Sequence, residues 1–529
     1  MNIRYFVLLL TVGLLAGPLA AHAQRKAPLP PPANAPRQPA RTELLLDQSN
    51  SDVHVQPLPA DSTVVLLLGR DKLLSSKTTY VFQQYDHALH LRQETKLEVP
   101  DEFDFVRMCA EGSTVYALFS SHVVPGRLWV GAYNGRLAQV RTQQYETRLS
   151  REIVELKALD GRLFATVLLN DQRHVTALLL DVATGQMQYL ASIYEPLPTQ
   201  LTFVADAVSR RAEYVLSQTN GRKSRLLLKQ LTDNGQLVSS EFVQAESERS
   251  LITAQLTPPQ DTTARLLMGT YSLRDPSYAQ GLFATDLRTT DAKGAKSPLR
   301  FYDFLRLKHF FDYLKPRRQA RLRLRTERRV ARAVPPRRWR YRLLLHELRP
   351  QPGGGYVLVA EVYYPHYRYG TYSGLAAPFA SPGGPYGSGN SRVFDGYQTT
   401  HAVVCGFDRT GSLLWDNTFV VENLRRRELE EAVRLQTLPD GRLVMAYLDE
   451  EKLRYKLIDR ANASPNDHQV PIQTGLDPSG SSGPEHASDT QQAELLPWFG
   501  SRFVASGYQR VHVERGPDRE VFFLNSVVF

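Results

Sequence analysis

Few residues in this chain are spaced for chemistry. His87 and His90 have the separation of two imidazole metal ligands, but they bridge a turn and a strand with no third ligand nearby, so they read as structural; no metal or other cofactor is expected. Gly387-Ser388-Gly389 lacks the spacing of a hydrolase elbow, and no glycine-rich phosphate loop is present. His366, near the start, and His401, just past the end, bracket most of a stretch from Tyr363 to Gln398 dense in tyrosine, glycine, proline and serine. Without a carboxylate or nucleophile beside them, these histidines suggest binding before catalysis. Tyr363, Tyr364, His366, Tyr367, Tyr397 and His401 are therefore the candidate binding residues here, because a tyrosine ring offers a flat apolar face and a hydroxyl suited to sugar or peptide.

A second candidate is electrostatic. Arg306 to Arg342 holds fifteen lysines and arginines against Asp312 and Glu327, a local charge of +13 in a chain whose total is +10. Arg317, Arg318, Arg321 and Arg325 lie at its centre, and a surface of that charge suits an anionic envelope glycan, lipid headgroup or protein. Nucleic acid is not the expected partner, because the N-terminus reads as an export signal.

That signal is residues 1–23: Arg4, an apolar run from Tyr5 to Leu19, and Ala21-His22-Ala23 before Gln24. The run is shorter than the roughly 20 apolar residues a membrane span needs, and no later segment is apolar enough to cross as a helix. The expected location is periplasmic or extracellular, and the expected state a monomer. Residues 24–41 are mostly Pro, Ala, Arg and Lys, a polyproline-like spacer with almost nothing to bury. The folded part is expected over 42–529. Two cysteines, Cys109 and Cys405, exclude a disulfide framework and leave one long-range bridge open.

The elements that must position these residues are strands. Runs such as Ser62 to Gly69, Thr79 to Gln84 and Leu163 to Leu169 alternate with polar turn clusters. The turns keep a period close to fifty residues, at Ala60-Asp61, Glu111-Gly112, Asp160-Gly161, Ser209-Arg210-Arg211 and Gln260-Asp261. A second set follows in phase at Asn134-Gly135, Thr184-Gly185 and Asn234-Gly235, and the rhythm resumes at Gly353-Gly354-Gly355, Asp440-Gly441 and Phe499-Gly500. Four strands per fifty-residue unit predict an all-β fold, a β-propeller of about eight, alternatively seven, four-stranded blades. The last unit, from Leu495 to Phe529, is one strand short, and Glu43 to Asp47 is placed to complete it and close the ring, which removes exposed strand edges. The C-terminal strand ends in Phe529 but does not alternate as an outer-membrane barrel strand would.

Phe407-Asp408-Arg409-Thr410-Gly411-Ser412-Leu413-Leu414-Trp415, and more faintly Leu180-Asp181-Val182-Ala183-Thr184-Gly185-Gln186-Met187, resemble the D-x-x-T-G-x-x-x-W repeat of quinoprotein-like (PQQ-like) propellers. The resemblance implies that the Asp and Gly make a tight outer hairpin and that Trp415 docks between neighbouring blades. Asp408 stands one residue too near Thr410, and Tyr189 occupies the tryptophan position of the second copy.

Two insertions interrupt the rhythm. In the first, about 300–338, Phe304, Leu307, Phe310, Phe311 and Leu314 predict one apolar helical face over Asp303 to Leu322. Pro316 is expected to end or kink that helix, with Arg317 to Val334 resuming as a second, basic one. Asn423 to Arg434 is a weaker helix candidate. The second insertion, about 364–398, reads as a long loop. The functional expectation is an exported propeller acting as a binding or scaffold module; the alternative is a propeller enzyme acting on an extracellular polysaccharide or other polymer. Carboxylates lining the central funnel are the feature that favours the enzyme.

Overall fold

The computed structural model describes residues 35–529 apart from 72–77, 148–149, 170, 172–173, 196–198, 207, 220–222, 246–247, 259–264, 289–297, 333, 335–336, 352, 371–390, 423, 461, 464–466, 476–484 and 514–516. The export signal expected over 1–23 and most of the spacer lie outside them.

Eight antiparallel sheets follow one another along the chain. Blade 1 is built from Ser51–Leu58, Thr63–Asp71, Thr78–Tyr85 and Leu91–Leu97, and blade 2 from Phe103–Glu111, Thr114–Ser121, Arg127–Asn134 and Gln139–Glu146. Blades 3, 4 and 5 begin at Ser150, Thr199 and Ser250 and repeat the pattern. Blade 6 has its four main strands between Arg342 and Val420 and two short extra segments, Arg349–Pro350 and Arg425–Arg426; blade 7 begins at Arg434 and has one, His468–Pro471. The fold is an eight-bladed β-propeller.

What holds the ring is apolar surface between blades, since no single four-stranded sheet can cover both its faces. Val115, Ala117, Phe119 and Trp129 of blade 2 pack on Val65, Leu67 and Phe82 of blade 1. The same construction joins blades 2 and 3, 3 and 4, 4 and 5, 5 and 6, 6 and 7, and 8 and 1. Blades 7 and 8 meet where the Arg434 Nε donates to the Leu495 carbonyl, 3.1 Å away.

Blade 8 closes the ring with both ends of the chain. Glu485–Pro497, Arg502–Val513 and Arg519–Val528 form three strands, and Arg37–Leu44 pairs antiparallel with the last as the outermost. Closure by an N-terminal strand is as expected, but the strand begins six residues before Glu43, inside the stretch read as spacer, and overlaps the expected one only at Glu43 and Leu44. Its one proline, Pro39, does not prevent pairing, because an edge strand tolerates proline where no ladder bond is lost, and the register shifts between Arg37 and Ala40 around it. Gln38 and Arg41 favour the pairing: Asn525 donates to the Gln38 amide oxygen at 3.0 Å, and Arg41 reaches Glu43 at 2.7 Å and Asn525 at 3.1 Å.

Each blade's first strand lies innermost, except that blade 8 also carries the N-terminal strand outside. The ring therefore has two distinct ends. Connections from first to second and from third to fourth strand lie at one, the turn end. Connections from second to third strand, and from blade to blade, lie at the other, the excursion end. Both sets of fifty-residue turns fall at the turn end, apart from Gln260-Asp261, which lies outside the described residues. Asp408 shows how such a turn is made: its Oδ1 accepts the amides of Thr410 and Ser412, each at 2.8 Å, and Gly411 takes a φ of 78°. Trp415 then packs in the blade 6 and 7 core, over Gly406, where a Cβ would sit 2.2 Å from the indole nitrogen.

The excursion end departs from expectation. No helix covers Asp303 to Lys315; Arg300–Asp303 is the outer strand of blade 5, and the chain then runs in tight turns. Phe304, Leu307, Phe310 and Phe311 are all fully buried between blades 5 and 6, so their spacing reports burial and not helix. Side chains outcompete helical bonding: Asp416 accepts the amides of Lys308 and His309 at 2.9 and 2.7 Å, and Arg323 takes the carbonyls of Leu305 and Leu307 at 3.2 and 3.1 Å. The single α-helix among the described residues, α1, is Pro316–Ala331, with Pro316 opening it at the position where a missing N–H costs nothing. Asn423 to Arg434 is likewise not helical among the described residues; Arg425–Arg426 pairs with blade 6 instead. Cys109 and Cys405 lie buried in blades 2 and 6 as free thiols.

Candidate functional site

The second insertion is half ribbon. The two middle strands of blade 6, Tyr356–Gly370 and Ser391–Phe407, run on past the other strands as an antiparallel pair, so Tyr363, Tyr364, His366, Tyr367 and Tyr397 stand on strands and not in a loop. Only 371–390 falls outside the described residues. Cross-strand pairing puts Tyr363, Tyr397, Phe394 and Tyr367 in one run of edge-to-face rings, with centroids 5.6, 5.1 and 5.9 Å apart in turn. Tyr367 and Phe394 stay about half exposed. Phe394 was missed as a site residue, although it repeats the aromatic three residues before Tyr397. His366 and Tyr364 leave this row: His366 approaches Asp395 at 3.4 Å, and the Tyr364 hydroxyl donates to Gln398 at 2.7 Å.

His401 does not join His366. It lies opposite Val362, four residues nearer the ring along the strand, and is fully buried beneath Tyr313, with ring centroids 4.0 Å apart. Burial holds its imidazole down to about 3, so it stays neutral. Its part is to floor the first insertion.

On that floor sits the arginine cleft. Helix α1 carries seven arginines and one glutamate. Arg323 points inward, with its guanidinium 5.6 Å from the Phe311 ring, and Thr326 is buried beside it. The opposite stripe, Arg318, Arg321 and Arg325, faces Arg337, Arg338 and Arg340 across an open cleft of about 630 Å³. Tyr313, Trp339 and Tyr341 supply its aromatic surfaces. The Tyr313 and Tyr341 hydroxyls lie 2.7 Å apart, and burial, helped by this bond, raises the Tyr341 phenol, which keeps it neutral and able to donate. Among the described residues, none of the six arginines has a carboxylate within 4 Å. Arg317, grouped with the others from sequence, does not line the cleft. Arg337 to Tyr341 were counted for charge but not recognised as the second wall; an arginine-aromatic run directly after Pro335-Pro336 was the available signal.

The central channel is also charged. Arg107 of blade 2 reaches Glu428 at 3.3 Å and Glu430 at 3.9 Å on the connection between blades 6 and 7, and Lys157 of blade 3 reaches Glu347 at 2.6 Å. Arg434 holds Glu431 at 2.9 Å and Glu494 at 3.7 Å. Buried Glu361 accepts from His346 at 2.9 Å and from the amides of Ala432 and Val433 at 2.7 and 2.8 Å, fixing that connection to blade 6. Desolvation raises Glu155, against the pull of Lys157, and raises Glu494, against that of Arg434. His346 is raised too: burial works against its charge, but Glu431 and Glu361 outweigh it. The carboxylates are present, then, and most are held by cations.

No known family matches the chain, and no curated protein does. Solved structures do. The polysaccharide lyase Uly1 superposes with a TM-score of 0.38 at 8% identity, covering 80% of this chain and 89% of that one. The β-propeller domain of the Trilobed protease from Pyrococcus furiosus gives 0.34 at 6% identity, over 79% and 95%. A prolyl endopeptidase gives 0.38 at 11% identity over 88% of this chain, which spans 54% of the endopeptidase.

Proposed function

We propose that this chain is an exported β-propeller that works as a docking module for an anionic partner, with the arginine cleft as its contact surface. The observation that carries the reading is the cleft itself: six guanidiniums brought together from a helix and the strand-ward return of the same insertion, with no described carboxylate to neutralise them. Like charges gathered this closely cost free energy unless an anion joins them, and the planar guanidinium fork is suited to bind carboxylate, sulfate or phosphate through paired hydrogen bonds. The insertion's buried phenylalanines give the cleft a rigid base, so little ordering cost falls on binding. Export is supported by the character of residues 1–23.

The test is retention of the folded protein on an immobilised sulfated matrix at low salt. Replacing Arg318, Arg321 and Arg325 together with Gln is expected to abolish retention, while Arg317→Gln, outside the cleft, leaves it near that of the parent. Equal retention of the triple variant and the parent would overturn the reading.

A second reading, polymer cleavage in the channel, has one observation in its favour: Glu155 and Glu494 are raised carboxylates on inner strands, the state a general acid needs. Glu155→Gln should then abolish depolymerisation of an acidic polysaccharide, measured by viscosity; activity surviving in that variant removes the channel from consideration.

A further inference from the structure

The cleft does not end where the first six arginines do. Past Arg325 and Arg337, which line both, a second pocket of about 520 Å³ takes in Arg328, Arg332 and Val334. Arg318, Arg321, Arg325, Arg328 and Arg332 recur at three and four residues, which sets them along one side of α1 and just past its end, while Glu327 falls on the opposite side. The stripe is roughly 20 Å long at 1.5 Å per helical residue. A length of that order exceeds one small anion and suits an extended chain bearing repeated charge.

The facing wall is the return of the same insertion, and it is held as extended backbone. Trp339 presents both its amide and its carbonyl to the Gln280 side chain, each at 2.9 Å, and the Tyr341 carbonyl accepts the Ala279 amide at 2.8 Å. Ala279 and Gln280 lead into Gly281–Asp286, the third strand of blade 5, so the ring fixes this wall through residues 339 and 341. Successive peptide units of extended backbone point to opposite sides. Arg338 and Arg340, which line the cleft, therefore turn theirs away from blade 5, and among the described residues neither makes a backbone hydrogen bond. One wall of the groove thus offers a stripe of guanidiniums, and the other offers guanidiniums together with an unpaired strand edge.

We infer that the groove receives an extended acidic peptide, a segment of a partner protein rich in Asp and Glu. This rests on the anion-docking reading above and names the kind of partner. An extended peptide rises about 3.3 Å per residue, so roughly six residues run the length of the stripe. Paired with Arg338 and Arg340 as an added strand, such a peptide gains main-chain hydrogen bonds from the free edge. Its side chains on one face come beside those two arginines, where carboxylate and guanidinium can join through two parallel hydrogen bonds. An acidic polysaccharide could meet the arginines but has no run of amides for that edge, and a bilayer is too flat to enter between two walls.

The test is equilibrium binding of the full folded chain to end-blocked hexa-aspartate, to the same peptide methylated at its backbone nitrogens, and to hexagalacturonate, so that each probe carries the same number of carboxylates at one ionic strength. Unmethylated hexa-aspartate is expected to bind at least tenfold more tightly than either rival. R318Q/R321Q/R325Q should lose at least tenfold for it and flatten its salt dependence, because screening acts on the charges removed. R328Q/R332Q, in the second pocket, should lose severalfold. Equal or tighter binding of the methylated peptide or of hexagalacturonate, or unchanged affinity in R328Q/R332Q, overturns the peptide inference alone. Failure of all three probes to bind the parent chain overturns anion docking with it.

Discussion

At the turn end, charge is spent between neighbours. Arg136 of blade 2 reaches back to Asp61 of blade 1 at 2.8 Å, Glu111 accepts the amides of Asp160 and Gly161 in blade 3, and Arg210 of blade 4 bridges Asp160 and Asp233. At the excursion end, six arginines of one insertion face each other across open space with no described carboxylate near them. The same ring thus carries turns whose ions are paired between neighbouring blades and, at its other end, one cleft whose six arginines have no described carboxylate partner. Pairing at the turn end serves cohesion of the blades, which the cleft arginines do not do through ion pairs with described carboxylates.

This contrast is most severely tested through the insertion's base. Phe310 is fully buried in the core shared by blades 5 and 6 and stacks on Phe304 at 4.1 Å. Phe310→Ala should cost about 3–5 kcal/mol, read in denaturant unfolding. A loss under about 1 kcal/mol would mean the excursion is appended to the ring and not part of its core.

Next in size is Glu361→Gln, which leaves His346 and two backbone amides without a carboxylate and should cost about 1–3 kcal/mol. It also separates the channel from the turns by pH. His346 is raised, so its contribution is complete below the ordinary histidine value of about 6.5 and is lost as pH rises through the folded value. Glu155 and Glu494, also raised, act in the same sense from about 4.3 upward. At the turn end Asp181 and Asp408 are pushed up by desolvation, but donation to them, mainly from backbone amides, outweighs it and holds them low. Their contribution is present above about 3.9 and lost as pH falls through the folded values. Glu361→Gln should therefore flatten the decline of stability above pH about 6.5 and leave the acid limb unchanged; a steeper alkaline decline would reverse the sign given to His346.

Asp408→Ala removes the acceptor of two turn amides and should cost about 1 kcal/mol, with the loss shrinking under acid as the parent carboxyl protonates. Smallest in stability is the arginine triple variant, expected within about 0.5 kcal/mol of the parent in unfolding, even though its anion binding collapses. A large stabilisation of that variant would sharpen the contrast further, by showing how much repulsion the empty cleft holds.

The turn end was legible because its signals are local: a glycine with positive φ and an aspartate two to four residues before the amides it caps, repeated every fifty residues. The blade count and Trp415 docking between blades followed from them. The excursion end was less legible because its structure depends on partners distant in sequence. Phe304 to Leu314 has helical spacing, yet Asp416 and Arg323 dictate turns. Residues 37–41 read as spacer because the strand they pair with, Arg519–Val528, is distant in sequence. Of the candidate site, Arg318, Arg321, Arg325 and the tyrosines Tyr363, Tyr367 and Tyr397 were identifiable by type, but the facing wall from Arg337 to Tyr341 appears only when the insertion folds back.

The strand Arg37–Leu44 has a consequence for how the molecule comes into being. It is made well before its only sheet partner among the described residues, Arg519–Val528, so the ring stays open until that strand has been made. A ribosome that stops early yields seven sheets and an orphan strand, with unpaired edges ready for self-association.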